Sequence, residues 1–290
     1  MFRSSFRVVR TTLALLLALT APLAAQDTAL RRLDTGDDGR GWEAVGRLDI
    51  DGKGFCTGAL IAEDLVLTAA HCLFDLRTGK TFDLDRMEFL AGWRNGRASA
   101  YRKIRNAVVP PDYDTTSKIT PNRVRSDFAL LQLYQPIRNT TVIPFDTDLS
   151  PRTGAHIAIV SYAHNRSEAP ALQETCNVLA KQEGALVMSC QVDFGSSGAP
   201  VFGFGPDGTP RIVSVVSAKA EVSGRNVSLG TDLGQLNFMR AELAQGRGRE
   251  LPPVLGNETA TTLVSEPPKM TRVTSGSRFP SGAKSVRPGQ

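Results

Sequence analysis

Histidine is scarce in this chain, with three residues in 290. A site built on imidazole therefore has few places to form. Cysteine is nearly as sparse: there are four, and neither close pair has the C-x-x-C spacing of a structural zinc site, which argues against a zinc-bound fold. No segment repeats at a fixed period, so a repeat array is excluded. Long hydrophobic runs are missing too. The most apolar stretch, Thr11 to Ala25, falls short of the roughly 20 residues that cross a bilayer, which leaves no membrane span in the mature chain.

That stretch follows Arg3, Arg7 and Arg10 with no acid among them, and it ends in Ala21-Pro22-Leu23-Ala24-Ala25. The pattern is that of a secretory signal peptide over residues 1–25, cleaved after Ala25, and it predicts a secreted or periplasmic protein. Residues 26–41 are then an N-terminal segment or short propeptide. Of the net charge of +5, +3 lies in the signal and +4 in residues 247–290, which leaves the body at −2. The basic balance belongs to the chain ends and gives the folded part no reason to bind nucleic acid.

All four cysteines lie in the body as two close pairs, Cys56 with Cys72 and Cys176 with Cys190. An exported chain meets an oxidising compartment, so disulfides are expected. Three pairings are possible and the local one is favoured. Each bridge would then close a loop of about 15 to 17 residues and contribute roughly 3 kcal/mol in the chain-entropy account.

Between Trp42 and Leu236 short β-type runs alternate with turn residues, and stretches of helical periodicity are few. Gly46–Ile50 alternates and turns at Asp51-Gly52. Asn95-Gly96 suits a two-residue hairpin turn between Phe89–Trp93 and Ala98–Tyr101. Asp127 opens the apolar run Phe128 to Leu133; His156–Tyr162 and Arg211–Ser217 are further strands. The pattern predicts an all-β pair of barrels. Leu233, Leu236, Met239 and Leu243 share a helical face, which predicts a C-terminal helix packed on the second barrel. Residues 247–290, rich in Pro, Gly, Ser and Thr, read as a disordered tail.

Three segments carry chemistry in the order His, Asp, Ser: Leu67-Thr68-Ala69-Ala70-His71-Cys72, Ser126-Asp127-Phe128-Ala129-Leu130-Leu131 and Gly195-Ser196-Ser197-Gly198-Ala199-Pro200. A serine hydroxyl is a weak nucleophile at neutral pH and needs an imidazole within hydrogen-bond reach to take its proton. The imidazole in turn needs a carboxylate on its other nitrogen to fix its tautomer and stabilise the imidazolium. His71, Asp127 and Ser197 are the candidates for these roles. Gly195 lets the backbone turn so that its N–H and that of Ser197 converge as an oxyanion hole. Singly, each motif has a plainer structural reading as a turn or a strand cap.

Together and in this order they resemble the chymotrypsin-like serine peptidases over roughly Trp42 to Leu243. Phe55-Cys56-Thr57-Gly58-Ala59-Leu60-Ile61, Val108-Val109-Pro110-Pro111-Asp112-Tyr113 and Tyr134-Gln135-Pro136-Ile137 are also similar to stretches of that family. The resemblance implies two six-stranded antiparallel β-barrels with a short C-terminal helix: residues 42–145 with His71 and Asp127, and residues 146–246 with Ser197 and the helix. It implies an endopeptidase that acts on polypeptide through an acyl-enzyme, with no cofactor and no metal. In the digestive and clotting branch an Asp before the serine pairs with a newly cleaved N-terminus; here that position is Ser196, and Ala199 replaces a glycine. The form looks more like bacterial secreted members, the branch near the glutamyl endopeptidases. The resemblance puts Gln191, Val192, Val216 and Ser217 at the substrate pocket, which predicts an uncharged side chain there, because a buried charge would lack a partner. The rival reading is a catalytically silent homologue used as a binding or scaffold module.

Overall fold

Strand-forming runs broken by Gly, Asn and Asp build two closed sheets. In the computed structural model, residues 30–248 apart from 76–77, 116–118, 149 and 223 are described, together with 284–285. The signal peptide expected at residues 1–25 lies outside the described residues, as does most of the tail.

After a two-residue strand β1 (Arg31–Arg32), the first barrel is formed by β2 (Val45–Ile50), β3 (Gly54–Ala62), β4 (Leu65–Thr68), β5 (Met87–Ala91), β6 (Ala100–Val108) and β7 (Ala129–Leu133). It closes in the order β2-β3-β4-β7-β6-β5, and all neighbours are antiparallel. The second ring uses β8 (His156–Ala163), β9 (Arg166–Gln182), β10 (Ala185–Met188), β11 (Pro200–Phe204), β12 (Pro210–Val222) and β13 (Arg225–Gly230). It runs β9-β10-β13-β12-β11-β8 and closes by pairing β8 with β9. Strand β1 lies outside this ring on β9, and β14 (Lys284–Ser285) pairs with β12. The fold is therefore the all-β pair of six-stranded rings that the sequence implies. The hairpin at Asn95-Gly96 forms as expected, with Arg94 and Arg97 exchanging backbone hydrogen bonds at 2.7 and 3.0 Å.

Strand β3 shows how the halves meet. A strand with one wet face alternates, but Cys56 to Ile61 of β3 are all buried. The strand lines the first barrel and also touches β8 and β11 of the second ring. Alongside, Phe202 of β11 packs edge-on against Trp42 at 4.9 Å and Phe145 at 4.7 Å between ring centroids, an arrangement favoured by the ring quadrupoles.

Two helices depart from the sequence reading. The C-terminal helix α2 (Leu236–Ala244) forms, but it packs against β6 and β7 of the first barrel rather than on the second. Just before the helix, the Asp232 N–H donates to Arg125 O at 3.0 Å. The Asp232 carboxylate accepts the Gly234 N–H at 2.9 Å, and this local turn keeps Leu233 out of the helix. The second helix, α1 (Pro121–Arg125), was not anticipated. Thr120 caps it, its Oγ1 accepting the Arg123 N–H at 3.2 Å, with Pro121 in the first turn where a missing N–H costs little.

Candidate active site

The first barrel holds an imidazole and a carboxylate in contact. Strand β4 ends at Thr68, and the small buried residues Ala69 and Ala70 let the chain tighten into a 3-10 turn over Ala70–Leu73. A disulfide from Cys72 to Cys56 of β3 ties that turn to the barrel wall, with the Cα atoms 6.3 Å apart. Asp127 follows α1, and its N–H returns to Val124 O at 3.2 Å. His71 and Asp127 are 7% and 3% exposed. His71 Nδ1 lies 2.7 Å from Asp127 Oδ2, and the His71 backbone N–H donates to Oδ1 at 2.9 Å. Ser217 of β12 donates its hydroxyl to Oδ2 at 2.5 Å, so the second ring also contributes to the pair.

Burial disfavours the charged carboxylate, yet attraction to the His71 ring and the hydrogen bonds from His71 and Ser217 outweigh it. Together they hold the Asp127 carboxyl below its ordinary value of 3.8. A carboxylate at Nδ1 fixes the tautomer with the proton there, which leaves the lone pair on Nε2. Nε2 is buried and has no hydrogen-bond partner among the described residues.

Ser197 sits on the loop between β10 and β11 and is half-buried. Gly195 has φ +92°, and a Cβ there would collide with the Phe55 ring. A Cβ on Gly198 would collide with Thr68 Oγ1 and Thr57 O, so only glycine lets this loop lie against the end of β4 that leads into His71. The backbone donors alternate. Ser196 N–H is taken by Asp193 O at 2.9 Å and Gly198 N–H by Val216 O at 2.8 Å, whereas the N–H groups of Gly195 and Ser197 have no acceptor among the described residues. Two free donors flanking a serine suit a developing oxyanion.

Thr57 of β3 links the two sides. It is fully buried; its N–H donates to Ser197 O at 2.8 Å, its hydroxyl donates to Gly195 O at 2.8 Å and accepts the Tyr162 N–H at 3.1 Å, and its carbonyl accepts the Thr68 hydroxyl at 2.8 Å. It adjoins Cys56, so the serine loop and the histidine turn are pinned to neighbouring residues of one strand.

Beside Ser197 lies a cavity lined by Val192, Val216, Ser217 and Ala218, with Asp193, Phe194 and Lys219 completing its walls. Gln191, expected at its edge, is exposed and does not line it; the Gln191 N–H binds Gln173 Oε1 at 2.8 Å. The second cysteine pair is also bridged, Cys176 to Cys190, so both local pairings hold. Cys56, Cys72 and His71 lie close enough to suggest a metal site. The sulfurs, however, are bonded to each other and Nδ1 faces Asp127, so the cluster offers no thiolate.

Thr57, Asp193, Phe194 and Lys219 were not singled out as site residues from sequence. Lys219 follows Ser217 on β12 across a register shift between Val216 and Ala218, so strand alternation gave no signal for it. For Thr57 no local signal exists, since its partners are far away in the chain.

A family model described as a trypsin-like peptidase domain matches residues 56–209, more than half of the chain. The chain is similar to a glutamyl endopeptidase of Bacillus licheniformis, 24% identical over 150 residues that cover 51% of this chain and 45% of that protein. It is similar to mannan-binding lectin serine protease 1 of Homo sapiens, 26% identical over 125 residues, covering 39% and 17%. Limulus clotting factor C of Carcinoscorpius rotundicauda is 31% identical over 106 residues, covering 33% and 10%. The matches thus span less than half the length of each of these relatives. A solved structure of a Glu endopeptidase in complex with MPD has a TM-score of 0.60 at 18% identity, covering 74% of this chain and 97% of that one; at that identity it bears on the fold. His71, Asp127 and Ser197 all fall inside the matched residues, and the chain belongs to the trypsin-like peptidase domain family.

Proposed function

We propose that this protein is a serine endopeptidase in which His71, Asp127 and Ser197 act as base, orienting carboxylate and nucleophile. The observation that carries this reading is the buried His71–Asp127 pair, whose Nε2 is left without a partner on the side away from the carboxylate. His71 takes the Ser197 proton as the hydroxyl attacks the peptide carbonyl. The imidazolium is stabilised by Asp127 and then protonates the leaving amine. The N–H groups of Gly195 and Ser197 receive the oxyanion, and water releases the acyl-enzyme by the reverse sequence. Similarity to a glutamyl endopeptidase and to mannan-binding lectin serine protease 1 supports the assignment.

The side chain before the cleaved bond enters the cavity beside Ser197. Val192, Val216 and Ala218 give it an apolar wall. Lys219 Nζ and Asp193 Oδ1, both part-exposed, lie 4.0 Å apart in its wall. An uncharged side chain is the best fit to the apolar part of the wall, because a charge buried against it would lack a partner. The protein acts outside the cytoplasm, secreted or periplasmic; the signal pattern of residues 1–25 and the two disulfides support this. Residues 42–145 and 146–246 form the two lobes of the enzyme.

The test is digestion of an unstructured protein such as casein by the signal-free chain, with products sequenced by mass spectrometry and Ser197→Ala as control. Cleavage lost in the control, mostly after uncharged residues, is the expected result. Cleavage mostly after Arg, Lys or Glu would overturn the pocket assignment, and no cleavage by a folded, oxidised wild type would favour the silent homologue.

A further inference from the structure

Arg166, the first residue of β9, is a buried charge with no part in the chemistry above. It is 7% exposed and forms no ion pair among the described residues. Burial presses its guanidinium down to about 10, and the charge of Asp193 opposes the shift, so it stays a cation at neutral pH. A buried cation without a paired carboxylate is a costly element to keep in a fold. Where this one reaches is therefore informative.

Its Nη2 donates to Ser161 Oγ of β8 at 2.8 Å and to Ser196 Oγ at 3.3 Å. Ser196 is fully buried, immediately precedes Ser197, and lies between the two residues whose N–H groups have no acceptor. Its one O–H faces Tyr162 O at 3.0 Å and Ser161 Oγ at 3.3 Å, and its oxygen accepts from Arg166 and from the Asp193 N–H, both at 3.3 Å, which fills its hydrogen-bonding capacity. The same β8–β9 hairpin holds the loop a second time, through His164 N–H to Phe194 O at 2.7 Å. The hairpin tip thus grips the segment before Ser197, and Arg166, anchored at the same time on Ser161 of β8, is part of that grip.

We propose that Arg166 is a positioning residue for the Gly195–Ser197 loop: acting through the Ser196 hydroxyl, its guanidinium keeps the two free N–H groups aimed at one point. The inference rests on the proposed serine peptidase reading. It follows that the loop is held in its working shape by a side chain built into the second ring, and that a newly cleaved chain end is not required to set it.

The test is the rate of labelling by a fluorophosphonate, whose phosphoryl oxygen must enter the same N–H pair, with kinact and KI resolved. The proteins are wild type, Arg166→Met, Arg166→Lys and Ser196→Ala, each with its melting temperature. Arg166→Met and Ser196→Ala should lower kinact roughly 10- to 100-fold, the size expected when a donor pair is misaimed rather than removed. KI should stay within about twofold, and Arg166→Lys, which keeps the charge and one donor, should recover most of kinact. Should Arg166→Met fail to fold, Ser196→Ala removes the same link without emptying the guanidinium site. Wild-type kinact in either folded variant overturns the proposal, as does a loss that tracks only melting temperature and is not recovered by Lys. A wild type that never labels overturns the peptidase reading itself, and this inference with it.

Discussion

The two halves of the site are built by different means. The His71 side belongs to the first barrel and is fixed covalently and by charge: a disulfide beside the histidine, two bonds from His71 to Asp127, and a third from Ser217, all buried. The Ser197 side is a half-buried loop of the second ring with no covalent tie next to the nucleophile. Two glycines, Thr57 and the Arg166–Ser196 contact hold it. In the proposed reading the base must keep one tautomer and one orientation through every turnover, which the contact with Asp127 secures and the crosslink beside it supports. In the same reading the serine loop must leave two backbone donors free while committing the donors on either side, which only backbone geometry can arrange.

The difference can be broken at either side. The largest effect should come from Asp127→Asn, which keeps the shape but lets the imidazole take the wrong tautomer; turnover should fall about ten-thousandfold, far more than the accompanying loss of the ionised carboxylate's stabilisation would cause. Kinetics on a casein-derived peptide together with calorimetry would check both halves of that statement. Replacing Cys56 and Cys72 together by Ala should cost roughly 3 kcal/mol of stability in chemical denaturation, because the bridge closes a short loop, and activity at low temperature should survive better than stability. Thr57→Val should cost about 1–3 kcal/mol, since Gly195 O and the Tyr162 N–H both lose a buried partner. It should also slow serine labelling, because it loosens the loop that carries Ser197.

The smallest effect concerns acid. Asp127 has its folded-state pKa below the ordinary 3.8, so its ionised form contributes stability above that value. The contribution is lost as pH falls through the folded-state pKa. Asp127→Asn should therefore flatten the wild type's loss of stability below about pH 4, as read from denaturation midpoints measured at a series of pH values.

Much of the site was legible because its parts are short and local. Thr68-Ala69-Ala70-His71-Cys72 shows a tight turn in five letters, Asp127 stands where a polar stretch meets an apolar strand, and Gly195 and Gly198 bracket Ser197. Both cysteine pairs are near neighbours in sequence, and chain proximity sufficed to pair them. The barrels were legible from strand-length runs and Asn-Gly and Asp-Gly turns. What escaped depends on distant chain. Thr57 reads as one more strand residue until β3 is seen to lie between both rings. Arg166 would be assigned to the surface on residue type alone, and its burial follows from where the β8–β9 hairpin folds. Helix α2 was visible by its periodicity, but its packing partner was not, because β6 and β7 lie more than a hundred residues away in the chain. Helix α1, at five residues, is too short for periodicity to reveal.

The most direct test of the account is reaction of the signal-free, oxidised protein with a fluorophosphonate, followed by peptide mapping of the adduct. A single covalent adduct on Ser197 is expected, absent in Ser197→Ala and strongly slowed in Asp127→Asn. An adduct on another residue, or equal labelling of wild type and Ser197→Ala, would contradict it.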